Sequence, residues 1–431
     1  MNTLYRNDKR AQFPASWYAA TVNAPPLRAE LRGAQTADVC VIGAGYTGLS
    51  AARVLAARGL SVIVLEAHRA GFGASGRNGG QIASGYNASQ RLLARKLGGD
   101  VARDLWALSQ EAKADVAANC AAFGDDTQYK PGIAHGCYSA KELAEHTADA
   151  AFLHKTYGYD QVTAYAPADF AQIVQTPAYT GGVIDTGGAH MHPLRYALAL
   201  AEAAEHAGAV IYENTAVHHI GKGAKVTLRT SKGRVTADHL IIATNGYISG
   251  LEQKVASTIL PLNSFMCATA PLTNDQKTIL TRDIAVEDSK SDVNYYRLSA
   301  DHRLLFGGRA SARTAFPKDI GTLLRPRFTA LFPSLQNIAI DYAWGGVLGV
   351  TMTGLPAIQR IDKNIISAGG FAGHGVALSG LCGKVMGEAI LGQADRCDTL
   401  HKLPTPAFPG GTLFGRGLLQ LILTMKTLRG N

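Results

Sequence analysis

A chain of 431 residues, 47% hydrophobic and 17% charged, is longer than one compact core usually serves and predicts two domains. Its formal charge of +9 is spread along the chain without a lysine or arginine block, which excludes a nucleic-acid-binding tail. Six scattered cysteines without a C-x-x-C pair exclude a disulfide framework and predict reduced thiols in a cytoplasmic protein, while a charged N-terminus and the lack of a long apolar run argue against secretion and membrane insertion.

In chain order, residues 1–36 are polar, proline-containing and aperiodic; they predict a surface arm, with the regular fold starting at Ala37. An apolar strand over 38–42 enters the turn Gly43, Ala44, Gly45, Tyr46, Thr47, Gly48 and a helix to Arg58. A second buried strand over 60–65 then ends at Glu66 and Ala67. Helices are predicted over 91–122, 141–157 and 194–206, the last leading into a strand at 209–212. A hairpin of strands 226–230 and 234–237 precedes a separate buried strand at 239–243. Residues 261–306, rich in β-branched and aromatic side chains, predict antiparallel sheet. A strand at 364–368, a glycine-rich turn over 369–375 and a helix to Ile390 resume the strand–turn–helix order. The tail, 414–428, has the apolar spacing of an amphipathic helix, which favours docking on the protein's own body over weak contact with a membrane surface. The predicted class is α/β. A discontinuous Rossmann-type nucleotide-binding domain takes 37–90, 184–255 and 345–400, a substrate domain of antiparallel sheet with a helical insert takes 91–183 and 256–344, and 401–431 form the tail.

A GxGxxG run alone is a weak signal, but here it follows a strand, opens a helix and precedes an acidic residue at the end of the next strand. Gly43 permits the tight turn, Gly45 lets the backbone approach a pyrophosphate at the helix N-terminus, and Gly48 lets the helix lie close to the sheet. Glu66 can accept hydrogen bonds from ribose hydroxyls and disfavours a 2′-phosphate. A second loop, Ala74, Ser75, Gly76, Arg77, Asn78, Gly79, Gly80 and Gln81, offers backbone donors, a fixed cation and two amides to a bulky polar ligand. The competing reading, taken without its neighbours, is a surface loop. A third, Gly373, His374, Gly375 and Val376, puts N–H groups at another helix start, where they can polarise an electron-poor ring. Two helix N-termini and a glycine loop suit FAD better than NAD.

These blocks, with Ala243, Thr244, Asn245 and Gly246 and the segments 187–193, 295–298, 303–308 and 341–346, resemble the D-amino-acid-oxidase-type flavoprotein superfamily. Within it the resemblance is closer to the bacterial gamma-glutamylputrescine oxidases, and it runs from about Trp17 to the tail. It implies an extended FAD across the Rossmann domain, with Val217 among the expected contacts, and a small amine oxidised beside a neighbouring antiparallel sheet. Such oxidation needs no protein nucleophile. The resemblance puts aromatic and basic residues of that sheet against substrate, so Tyr296 or Tyr295 with Arg297, together with His374, are the expected catalytic residues. Alternation lets only some of them face it, and the competing reading is core aromatics with a surface arginine.

The His190/His192 and His218/His219 pairs have no completing cysteine or carboxylate nearby, so no metal is expected. Two departures from the family matter. The stretch 348–353 lacks the cysteine to which sarcosine-oxidase relatives attach flavin, which predicts non-covalent FAD. Ala377 stands where those relatives carry a lysine for a substrate carboxylate, which predicts a distal amine. The expected reaction takes gamma-glutamylputrescine or a similar ω-amine to imine and aldehyde, with oxygen or a quinone reoxidising the flavin. The alternatives are a glycine or D-amino-acid oxidase or deaminase, and a non-catalytic flavin-binding carrier or sensor.

Overall fold

Two sheets divide the chain in the computed structural model, which describes residues 4–248, 250–290, 292–411, 415, 417, 419 and 420. The first has eight strands, six of them on its main path: Ala357–Asp362, Ile365–Gly369, Gly233–Ile242, Gly33–Ile42, Val62–Leu65 and Val210–Tyr212. From Ile365–Gly369 to Val210–Tyr212 every pairing is parallel. The uninterrupted apolar runs at 39–42 and 62–65 suit this, because both faces are covered. Helices Tyr46–Ala56, Gly99–Phe123, Pro193–His206 and Gly375–Ile390 contribute to one core, while Leu31, Leu228, Leu240 and Val255 belong to another.

The first strand begins at Gly33, ahead of the predicted start at Ala37, because exposed positions 33–36 still pair through their backbones with 233–236. Gly233–Ile242 is likewise one element where two were expected: its first half also pairs with Val226–Thr230 as a hairpin, and its last residues join the parallel sheet. The helix expected over 91–122 is divided into Gln90–Leu97 and Gly99–Phe123 by Gly98 at φ 89, a conformation that favours glycine. The longer helix packs Leu105, Leu108 and Val116 into the nucleotide-side core, away from the second sheet to which the sequence reading assigned it.

The N-terminal arm is more than a surface strap. Trp17 and Tyr18 are 2% and 0% exposed in a short helix, Trp17–Ala20, where Tyr18 meets Trp344 edge-on with ring centroids 5.3 Å apart. A four-residue helix is too short to show a period.

The second sheet has nine strands, with main-path order Ile340–Val350, Leu260–Thr269, Leu304–Ser311, Tyr295–Leu298, Ala285–Asp288, Lys130–Gly136, Gly182–His190 and Gln81–Ile82. It is antiparallel except where Ala285–Asp288 runs parallel to Lys130–Gly136. Residues 81–82, 184–190 and 345–350 therefore belong to this sheet, across the boundaries drawn from sequence. One face packs Phe265, Phe306 and Tyr296 against Phe328 of helix Ile320–Leu331. The other contributes to the wall of a cavity between the two sheets. Among the described residues no helix is long and apolar enough to cross a membrane. The amphipathic helix expected over 414–428 falls largely outside the described residues.

Candidate functional site

The site starts where strand Gly33–Ile42 stops. Gly43 turns the chain at φ +104, and a Cβ added there would stand 2.7 Å from the Ala243 carbonyl oxygen. A Cβ at Gly48 would stand 1.9 Å from the Gly43 carbonyl, so helix Tyr46–Ala56 lies against the strand only because position 48 has no side chain. Gly45 caps this helix without a side-chain hydrogen bond, and the Tyr46 N–H is met by Ser75 Oγ at 3.0 Å. Glu66 accepts from the N–H groups of Ala44 and His68, each at 2.8 Å. Burial nevertheless dominates its environment and pushes its carboxyl up to about 7.

The second loop is held from within and from outside. Asn78 donates to the carbonyls of Ala74 and Ser75 at 2.9 Å and accepts from the Gly80 N–H at 2.7 Å. Arg77, expected as a fixed cation for the ligand, lines the cavity at 3% exposure; it donates to the carbonyls of Phe72 and Gly345 and to Asp8, and its Nη2 is buried without a partner. Gln81 donates to the Val286 carbonyl at 3.0 Å, joining this loop to the second sheet. In the third block, Asn245 adopts φ +46 and accepts from the Gly370 N–H at 2.9 Å, which fixes the turn that His374 ends as the N-cap of helix Gly375–Ile390.

All three blocks open on one cavity of about 1010 Å³, which also takes in Ala67 and Val217. Of the expected cofactor contacts, Ala44, Gly48 and Gly80 lie behind its wall. Thr244 Oγ1, Tyr247 OH and His374 Nδ1 are buried on this wall without a hydrogen-bond partner. Helix N-termini whose own cap residues make no side-chain hydrogen bond, a cradle that side chains would fill and unpartnered polar atoms are what an extended dinucleotide would satisfy.

The substrate side follows from strand register. His135, Glu287, Tyr295 and Gly307 lie opposite one another in successive strands and so share a face. Tyr295 and Glu287 line the cavity. The Tyr295 ring lies close to Gly79 and Gly307, whose added Cβ atoms would fall 2.8 and 2.1 Å from it, and its hydroxyl meets Ser264 Oγ at 3.1 Å. Tyr296 takes the opposite face, buried at 2% exposure, with its hydroxyl 3.2 Å from that of Tyr179. It does not reach the cavity. Arg297 is also walled off: it donates to the carbonyls of Gly79 and Met191 at 3.0 and 3.1 Å, positioning the second loop.

Glu287, Ser264, Asp292 and Arg309 line the cavity and were not singled out in the sequence. Only the pairing of distant strands brings them there, and no local motif marks them. The histidine pairs lie apart from this cluster: His192 caps helix Pro193–His206 and touches Thr21, His190 meets Asp283 at 3.3 Å, and His218 and His219 sit on strand Val217–Gly221.

A parallel nucleotide-binding sheet with glycine-turned helix starts, facing a mixed sheet across a shared cavity, defines a dinucleotide-dependent enzyme architecture. The chain belongs to the DAO family of FAD dependent oxidoreductases, whose profile matches residues 38–389. It is 37% identical over 415 residues to the probable oxidoreductase OrdL of Rhizobium meliloti (strain 1021), covering 96% of this chain and 97% of that protein. It is 36% identical over 399 residues to the gamma-glutamylputrescine oxidoreductase of Escherichia coli (strain K12), covering 92% and 93%. Among solved structures, glycine oxidase from Geobacillus kaustophilus superposes with a TM-score of 0.71 at 20% identity over 83% of this chain and 95% of that one. L-amino acid deaminase from Proteus vulgaris does so at 0.69 and 19%, over 86% and 95%. The protein is thus a flavin-dependent oxidoreductase with this family's fold.

Proposed function

We propose that this enzyme oxidises a primary amine whose carboxylate lies far from the reacting carbon, with gamma-glutamylputrescine or a similar ω-amine as substrate. The observation that carries the reading is the wall after His374 and Gly375: Val376 faces the cavity, and Ala377 and Leu378 turn into the core at 3% and 2% exposure. No cation from this turn meets a carboxylate next to the amine. The relationship to the Escherichia coli gamma-glutamylputrescine oxidoreductase over nearly the whole chain supports the same reading.

Bound FAD supplies the two-electron acceptor for the C–H bond beside the amine. The chain's residues prepare the amine. Burial holds the His374 imidazole below its usual range, so it is neutral near pH 7, and its unpartnered Nδ1 can take the proton an alkylammonium must lose. Tyr295 closes the sheet side. The resulting imine is released to water as aldehyde and ammonia, and oxygen or a quinone accepts the electrons in the cytoplasm. FAD is held without a covalent bond, a reading supported by the burial of all six cysteines and by their absence from the described cavity wall. Acid precipitation should leave the yellow colour in the supernatant.

Anaerobic mixing with candidate amines tests the substrate: flavin bleaching by gamma-glutamylputrescine should be at least tenfold faster than by glycine, sarcosine or D-alanine, about the effect of one charged contact. Faster bleaching by an α-amino acid would favour the glycine-oxidase-like reading, for which Arg309 on the cavity wall is the one supporting observation. Bleaching by none would favour an electron carrier.

A further inference from the structure

Glu287 is an acid in a four-residue strand, Ala285–Asp288, whose other three positions are buried. Such a residue needs either water or a cation, because an ionised carboxylate removed from both is strongly disfavoured. The structure gives it limited access to each. Its side chain keeps 29% of its surface, it lines the cavity, and its nearest charged or titratable partner is His135 Nδ1 at 3.3 Å. His135 in turn lies against His146, ring centroids 4.1 Å apart.

We infer that Glu287 is the group that recognises the positive charge of the substrate amine, holding the ammonium on the sheet side of the cavity beside His374. This rests on the ω-amine reading above. It assigns the cationic end of the substrate to one side chain and makes Glu287 a specificity-determining residue. His135 positions it, by fixing one carboxylate oxygen and leaving the other available.

The neighbours of Glu287 favour this role. The titratable groups facing it are His135 from strand Lys130–Gly136, His146 from helix Ala140–Tyr157, His374 at the start of helix Gly375–Ile390, and Tyr295 on the adjacent strand. Burial pushes His146 down to about 4 and His374 below its usual range, and Tyr295 up to about 12, so none of these three brings a charge near neutral pH. No lysine or arginine pairs with the Glu287 carboxylate among the described residues. An α-amino acid, whose carboxylate accompanies its amine, would meet a like charge here, whereas an ω-amine would not.

The inference predicts effects of opposite sign on binding and on pH dependence. A carboxylate beside an ammonium strengthens its binding but raises its pKa, delaying the deprotonation that oxidation requires. In holoenzyme reduced anaerobically by gamma-glutamylputrescine, Glu287→Gln should raise the dissociation constant by about tenfold or more, the loss of one charge-assisted contact. It should also move the pH midpoint of the reduction rate down by about one unit. Glu287→Asp, which keeps the charge, should retain the wild-type midpoint. The probe gamma-glutamylbutylamide, neutral at the end where the substrate carries its reacting ammonium and followed by perturbation of the flavin spectrum without turnover, should bind wild type and Glu287→Gln equally.

Equal affinity of both proteins for the amine, an unmoved midpoint, or equal loss of that probe would overturn the assignment of Glu287 while leaving the ω-amine reading intact. Wild-type enzyme reduced by glycine or D-alanine and not by gamma-glutamylputrescine would overturn both.

Discussion

The carboxylate of Asp8 and the guanidinium of Arg77 meet at 2.9 Å with their side chains 7% and 1% exposed, so the N-terminal arm anchors the second glycine loop. Arg77 also lies over the Phe72 ring, 4.2 Å from its centroid. Asp8→Ala would leave a buried guanidinium without its counter-charge, at a cost of about 3 kcal/mol. The variant is expected to melt several degrees below wild type and to retain FAD less tightly, because the loop it supports forms part of the cavity wall. Thermal unfolding with and without added FAD measures both effects. An unchanged melting temperature would mean that the arm is dispensable.

Glu66 couples stability and cofactor affinity to pH in opposite directions. Its folded-state carboxyl, at about 7, lies above the ordinary carboxyl value. Such a group imposes no penalty while it is protonated in both states. It costs stability as pH rises from the unfolded value through the folded one. Apo-protein should therefore lose stability relative to Glu66→Gln between about pH 5 and about pH 8. FAD should respond the other way: ribose hydroxyls prefer an ionised acceptor, so wild-type affinity should rise over the same interval while that of Glu66→Gln stays flat. Flavin fluorescence titrations of both apo-proteins at the two ends of this range decide it, and parallel pH dependences would refute the assignment of Glu66 to the adenosine end.

How much of this could be read from sequence depended on how local each signal was. The first glycine turn, with its strand, helix and terminal acid, is contiguous, and the physical reasons for Gly43 and Gly48 reappear as backbone contacts that no side chain could occupy. Glu287 had no such context. Its strand is four residues long, and its partner His135 lies 152 positions away in a strand that pairs with it in parallel. Ala377 marks a different limit. The sequence supplied a missing lysine, but only the helix phase shows that position 377 faces the core, leaving the argument to rest on the whole turn. Arg297 was expected against substrate from the family resemblance, but the Gly79 and Met191 carbonyls that hold it away from the cavity leave no mark in the sequence.

Tyr295 and Tyr296 are neighbours in one strand, and alternation requires opposite faces without saying which face is which. The register decides it: Tyr295 lies opposite Gly307, whose missing side chain makes room for its ring, while Tyr296 lies opposite Phe306 within the apolar core. The two phenols should therefore fail differently when each loses its hydroxyl. Tyr296→Phe removes a hydrogen bond to Tyr179 inside that core, so it should cost about 1 kcal/mol of stability and leave flavin reduction unchanged. Tyr295→Phe removes a donor that burial keeps protonated, with its pKa pushed up to about 12, and that meets Ser264 on the cavity wall. Its melting temperature should barely move, while anaerobic flavin reduction by the ω-amine slows on the order of tenfold, one hydrogen bond's contribution. Thermal unfolding and stopped-flow reduction of both variants, run side by side, separate the two outcomes. The reverse pattern, with Tyr296→Phe slow and stable and Tyr295→Phe fast and labile, would place the strand one residue out of register and move every substrate-side assignment to the other face.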